Sequence, residues 1–178
     1  MAEVFLHPGE EFTVTELARR TGVSQPVVHK EVSRLIDAEV LSDRREGNNR
    51  LVRVNQSHLL FAPAAEIIQA TYGPVPVLRE LLADMDGVLD AFIYGSWAAR
   101  RMGESGGLPR DIDVLVVGEV PIDAMLDVQQ AARDRLSLDV NIHRTSESAW
   151  ADRRNDEFLS HVSSRPLIRL TGKGADDE

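Results

Sequence analysis

The sequence predicts an α+β chain in two parts: a helix-turn-helix carrying a β-hairpin, followed by a small mixed-sheet domain. Helical apolar spacing interrupted by a glycine turn, residues 13–39, runs straight into an alternating strand-turn-strand stretch, residues 40–54. Farther along, the apolar runs Ala91–Tyr94, Val114–Val117 and Leu138–Ile142 read as strands separated by helical stretches. The charge divides in the same way. Residues 1–60 hold eight Lys/Arg and nine Asp/Glu, whereas the remainder holds twelve and twenty. The overall charge of −9 therefore belongs to the second part, and it argues against a protein that coats nucleic acid non-specifically.

Other classes are set aside by what the chain lacks. No apolar run approaches the length of a membrane span, so no membrane partner is expected. The start, "MAEVFLHPGEEF", has neither the basic residues nor the apolar stretch of a secretory signal, and a cytoplasmic location is the expectation. Without cysteine, disulfides and thiolate metal sites are excluded.

In the first part, Thr13 or Thr15 can cap a short helix through Leu17 and Ala18. Gly22 is placed to end it, Ser24 to cap the next, and Pro26 falls in the first turn, where its missing N–H costs nothing. Val28, Val32, Leu35 and Ile36 recur at helical spacing and predict a buried face on a helix from Ser24 to Glu39. The stretch "VLSDRREGNNRLVRV" then predicts a hairpin turning at Glu46-Gly47-Asn48-Asn49 and bearing Arg44, Arg45, Arg50 and Arg53. Residues 8–56 resemble the winged helix-turn-helix of ArsR- and MarR-like bacterial regulators. The resemblance implies that the second helix enters a DNA major groove, with Ser24, Gln25, His29, Lys30, Ser33 and Arg34 reaching bases or phosphates. It implies phosphate contacts from Arg44, Arg45, Arg50 and Arg53 of the hairpin. A solvated helix face used for protein contacts is the plainer alternative.

Residues 59–87 predict connecting helices broken at Gly73-Pro74, with Leu78, Leu81 and Leu82 forming a packing stripe. The second part spans residues 88–172, and residues 173–178 are expected to be a disordered tail. Its first strand ends at Gly95-Ser96 and a short helix follows; glycine lets backbone approach a ligand, and a helix start offers N–H groups to phosphate. In "RDIDVLVVG", Asp111 and Asp113 are two residues apart in a strand, so their carboxylates share a face. Like charges that close repel, and a divalent cation such as Mg²⁺ between them removes the repulsion. The plainer alternative is a solvated strand end with these acids paired to Arg100, Arg101 or Arg110.

The ordered set Gly95, Ser96, Asp111 and Asp113 resembles the signature of the DNA polymerase β-like nucleotidyltransferases, especially the minimal, antitoxin-like ones, across residues 88–145. That family uses a third carboxylate on a neighbouring strand. In "LSLDVNIHR", Leu138, Val140 and Ile142 share one face, and Asp139 and Asn141 share the other. Asn141 stands at the position of the third acid and Asp139 one step along the same face. Arg110 also replaces the serine common before the first acid. The resemblance implies Mg²⁺ or Mn²⁺ held by Asp111, Asp113 and Asp139 or Asn141, with phosphates at Gly95 and Ser96. The implied reaction is transfer of a nucleoside monophosphate from a nucleoside triphosphate to a hydroxyl acceptor, with Asp111, Asp113 and Asp139 as catalytic residues. The second expectation, motivated by Asn141, is a transcriptional regulator whose degenerate second domain senses nucleotide or dimerises.

Overall fold

The computed structural model describes residues 1–83, 85–107 and 109–171, so the expected tail lies outside the described residues. The chain is α+β and separates into two compact units, Met1–Gly73 and Pro74–Glu178. The division falls inside the stretch expected to connect the two parts, and one helix of that stretch goes to each unit. No helix among the described residues is long and apolar enough to cross a membrane.

The first unit runs α1 (Ala2–Leu6), β1 (Phe12–Thr13), α2 (Val14–Thr21), α3 (Gln25–Asp37), β2 (Leu41–Glu46), β3 (Asn49–Val54) and α4 (Phe61–Tyr72). Thr13 Oγ1 accepts from the Glu16 N–H at 3.1 Å and starts α2. Gly22 ends it in the left-handed region at φ +67°, a conformation that needs glycine at this turn. Ser24 occupies the expected cap of α3, but its carbonyl rather than its side chain receives the first helical N–H groups. The three strands form an antiparallel sheet in the order β1-β3-β2, in which fully buried Phe12 faces fully buried Val52. Val4 and Phe5 of α1, Leu17 of α2, Val32 of α3 and Ile68 of α4 close the core around that pair.

The second unit begins with α5 (Pro74–Ala83) and continues through β4 (Val88–Tyr94), α6 (Gly95–Arg101), β5 (Asp111–Gly118), α7 (Ile122–Leu136) and β6 (Asp139–Thr145). It closes with α8 (Glu147–Ala151), a 3-10 turn at Arg153–Asn155, α9 (Glu157–Ser163) and β7 (Ile168–Arg169). The two short helices α8 and α9 are capped separately, by Ser146 and by Asp156. The sheet is mixed, in the order β6-β5-β4-β7, with β5 and β6 parallel and the other pairs antiparallel.

Alternation along the strands gives this sheet two different faces. Ala91, Ile93, Ile112, Val114, Val116 and Val140 pack under α5, α6 and α7 through residues such as Leu78, Ala98 and Leu136. On the other face, Tyr94 and Leu115 are covered by Leu159 and Val162 of α9, with Trp150 packed alongside. The acidic end of β5 belongs to this second face.

Candidate functional site

The C-terminal end of β4 and the N-terminal end of β5 meet where the two sequence motifs fall. Tyr94 pairs with Asp113, and the next residue, Gly95, turns the chain into α6 at φ +73°. A Cβ at Gly95 would stand 2.6 Å from Asp113 Oδ2, so only the missing side chain lets the backbone lie against that carboxylate. Ser96 is exposed at the start of α6.

The parallel pairing sets β6 in register beside the acids: Asp111 opposite Asp139 and Asp113 opposite Asn141. Asn141 Nδ2 donates to Asp113 Oδ1 at 3.2 Å. Asp111 and Asp113 are half-buried, and among the described residues neither forms an ion pair. Arg100, one of the expected partners, instead donates to the Glu104 carbonyl at 2.7 Å and the Gly107 carbonyl at 3.2 Å, fastening the glycine-rich loop. Asp139 is not drawn in with the other acids. Its side chain is 77% exposed, with Arg133 Nε 3.8 Å away.

The arrangement offers hard oxygen donors: two carboxylates and the Asn141 amide oxygen, whose Nδ2 is turned toward Asp113. That donor chemistry fits Mg²⁺ or Mn²⁺. Among the described residues, no three of histidine, aspartate and glutamate come together as a metal-binding group. The fit therefore rests on two acids and an amide.

Tyr94 completes the neighbourhood. Its hydroxyl lies 2.8 Å from His143 Nδ1, and burial, with the adjacent charge of Asp113, pushes its pKa up to about 12. The ring is 9% exposed under α9. By sequence Tyr94 is only the end of an apolar run. The signal was its place immediately before Gly95, which fixes it beside the first residue of the site.

In the first unit, α3 and the hairpin flank an open cleft of about 530 Å³ lined by Thr13, Thr15, His29, Asp43, Arg45 and Arg50, among others. Strand alternation puts Asp43, Arg45 and Arg50 together, and Arg50 bonds both Asp43 at 2.7 Å and Ser33 of α3 at 3.4 Å. Arg44 points to the opposite face of the hairpin. There it is held by Glu11 at 2.6 Å and Glu46 at 3.1 Å, which raise its pKa, while Arg44 in turn lowers that of Glu11. The expected grouping of Arg44 with Arg45 is thus divided by the period of the strand. Along α3, Ser24, Gln25, His29, Lys30 and Arg34 are exposed and Ser33 is half-buried. Gln25 donates to Thr15 Oγ1 at 3.2 Å, and Arg34 pairs with Glu31 at 3.0 Å. The side chains of His29, Lys30 and Arg45 have neither a hydrogen bond nor an ion pair among the described residues.

No protein-family model matches this chain, and no curated protein is significantly similar to it.

Proposed function

We propose that the second unit is a divalent-cation-dependent nucleotidyltransferase, carried on a first unit that binds DNA as a winged helix. One observation carries the reading. Asp111 and Asp113 share a sheet face without an ion-pair partner among the described residues, and Asp113 lies against a glycine that opens a helix. Acids that served only as a solvated strand end would have no need of a left-handed glycine pressed against one of them.

In this reading Asp111 and Asp113, with the amide oxygen of Asn141, hold the cation, and Gly95 and Ser96 lie beside the phosphates. A bound cation would neutralise triphosphate charge and polarise the reacting phosphorus. Asn141 orients the Asp113 carboxylate through its 3.2 Å bond, leaving Oδ2 directed to the Gly95 side. An acceptor hydroxyl displaces pyrophosphate from the α-phosphorus. Asp139, the register partner of Asp111, is the remaining carboxylate of these two strands, and it would have to swing in from its exposed position beside Arg133 to take the hydroxyl proton. On the first unit, Lys30, His29 and Arg45 are the groups left available for phosphates and base edges.

The decisive experiment is calorimetric titration with ATP and Mg²⁺, repeated on Asp111→Asn/Asp113→Asn. Metal-dependent binding that vanishes in the double variant supports the reading; undiminished binding removes it. Asn141 favours a second reading, in which the unit senses nucleotide without turning it over, because an amide replaces the third acid and is bonded to Asp113. Binding of ATP without pyrophosphate release, together with a salt-dependent shift of the DNA upstream of its own gene, would select it.

A further inference from the structure

We infer that the exposed ring of Phe158, edged by His143, is the shelf on which the base of the bound nucleotide stacks. This rests on the nucleotide reading above and adds to it the part of the ligand that two acids and a glycine leave unaddressed. Four aromatic rings besides His143 crowd the second face of the sheet, and they differ in what covers them. The guanidinium of Arg153 lies over Trp150 at 5.0 Å, and that of Arg169 over Phe92 at 5.9 Å. Trp150 and Phe92 also pack on one another at 5.3 Å. Tyr94 is buried. Phe158, on α9, has ring neighbours in Tyr94 at 6.1 Å and His143 at 5.6 Å, carries no guanidinium over its face among the described residues, and is 45% exposed although its helix buries Leu159 and Val162.

The shelf is continuous with the acidic site. Asn141, which bonds Asp113, and His143 are two residues apart on β6 and so point to the same face about 7 Å from each other. His143 is tied through Nδ1 to the Tyr94 hydroxyl, and Tyr94 is the strand partner of Asp113. The edge-on packing of Tyr94 against Phe158, at 82°, holds the phenyl ring steady from one side. A planar, uncharged, polarisable group fits such a shelf. With triphosphate at Gly95 and Ser96, the base is the part of the same molecule that meets these properties. Stacking of this kind accepts every base, since each has a π-face.

The test uses the full chain with Mg²⁺ and two probes: ATP and inorganic tripolyphosphate, which carries the phosphates without a base. Phe158→Leu retains apolar bulk but removes the ring, and Phe158→Trp enlarges it. Phe158→Leu is expected to weaken ATP by about 5- to 150-fold, as loss of one base–aromatic stack does, and to leave tripolyphosphate binding unchanged. Phe158→Trp is expected to bind ATP at least as well as the parent, with its indole emission quenched by ATP and not by tripolyphosphate. Equal ATP affinity in Phe158→Leu and parent overturns the shelf. So does parallel loss of both probes, which would mark Phe158 as a packing residue. In either case, loss of both probes in Asp111→Asn/Asp113→Asn would leave the nucleotide reading standing. ATP binding undiminished in that acidic variant removes both together.

Discussion

Replacing Gly95 by alanine tests whether the backbone of the strand-helix turn presses on Asp113. At φ +73° an alanine bears the left-handed penalty, about 1–2 kcal/mol. Its Cβ would also stand 2.6 Å from Asp113 Oδ2, so the carboxylate must swing away. The 3.2 Å bond from Asn141 Nδ2 would then be lost, at about 0.5–1.5 kcal/mol. Reduced freedom of the unfolded chain returns about 0.4–1 kcal/mol. The net loss is about 1–2 kcal/mol, a fall in melting temperature of roughly 5–15 °C for a unit of this size. Both tryptophans, Trp97 and Trp150, lie in the second unit, so tryptophan emission during thermal unfolding follows that unit. The same substitution in an Asp113→Ala background meets no carboxylate and should retain chiefly the backbone penalty. Equal losses in the two backgrounds would refute the contact, and an unchanged melting temperature would refute the strained turn as well.

Tyr94→Phe should remove from the tyrosinate titration at 295 nm a component with its midpoint near 12. Because the folded pKa is raised above the usual value, the parent should lose stability as pH rises from about 10 toward 12, and the variant should lose less of it. Leu78→Ala empties a fully buried site beneath the sheet and should cost about 2–5 kcal/mol, read from the urea midpoint of tryptophan emission. If the first unit binds DNA, Arg45→Ala should lower the slope of log affinity against log salt by about 1, whereas Arg44→Ala, on the other hairpin face, should leave it unchanged. Glu11→Gln removes a carboxyl held down by Arg44. The contribution it makes above its unfolded pKa, lost as pH falls, should be missing from the acid limb of unfolding.

What could be read from the chain followed the physics of local signals. Gly22, Pro26 and the apolar spacing of Val28, Val32 and Leu35 defined two helices because caps and helical period are local. The pairing of Asp111 with Asp113 on one face likewise needed only the two-residue repeat of a strand. Register between distant strands was out of reach. That Asn141, rather than Asp139, lies opposite Asp113 depends on a parallel crossover through α7, which no short window encodes. The same limit hid the split between Arg44 and Arg45. Their alternation was legible, but the acids that hold Arg44 include Glu11, 33 residues earlier. α1 and β1 went unread because five- and two-residue elements carry too little periodicity to stand out.

Asn141 and His143 share one further circumstance: they are carried by the outermost strand of the sheet. Among the described residues β6 has β5 on one side only, and the Ile142 amide donates to Gln129 Oε1 at 3.3 Å, which helps to hold it. Amides of such a strand exchange with solvent through openings that cost less than unfolding of the whole unit. Any ligand that engages these residues must first select the closed population, so its affinity is scaled by the fraction of time β6 is docked. A ligand that engaged Asn141 or His143 would therefore gain part of its affinity from the stilling of an edge, visible as slowed deuterium uptake from Val140 to His143 and not at the centre of β4.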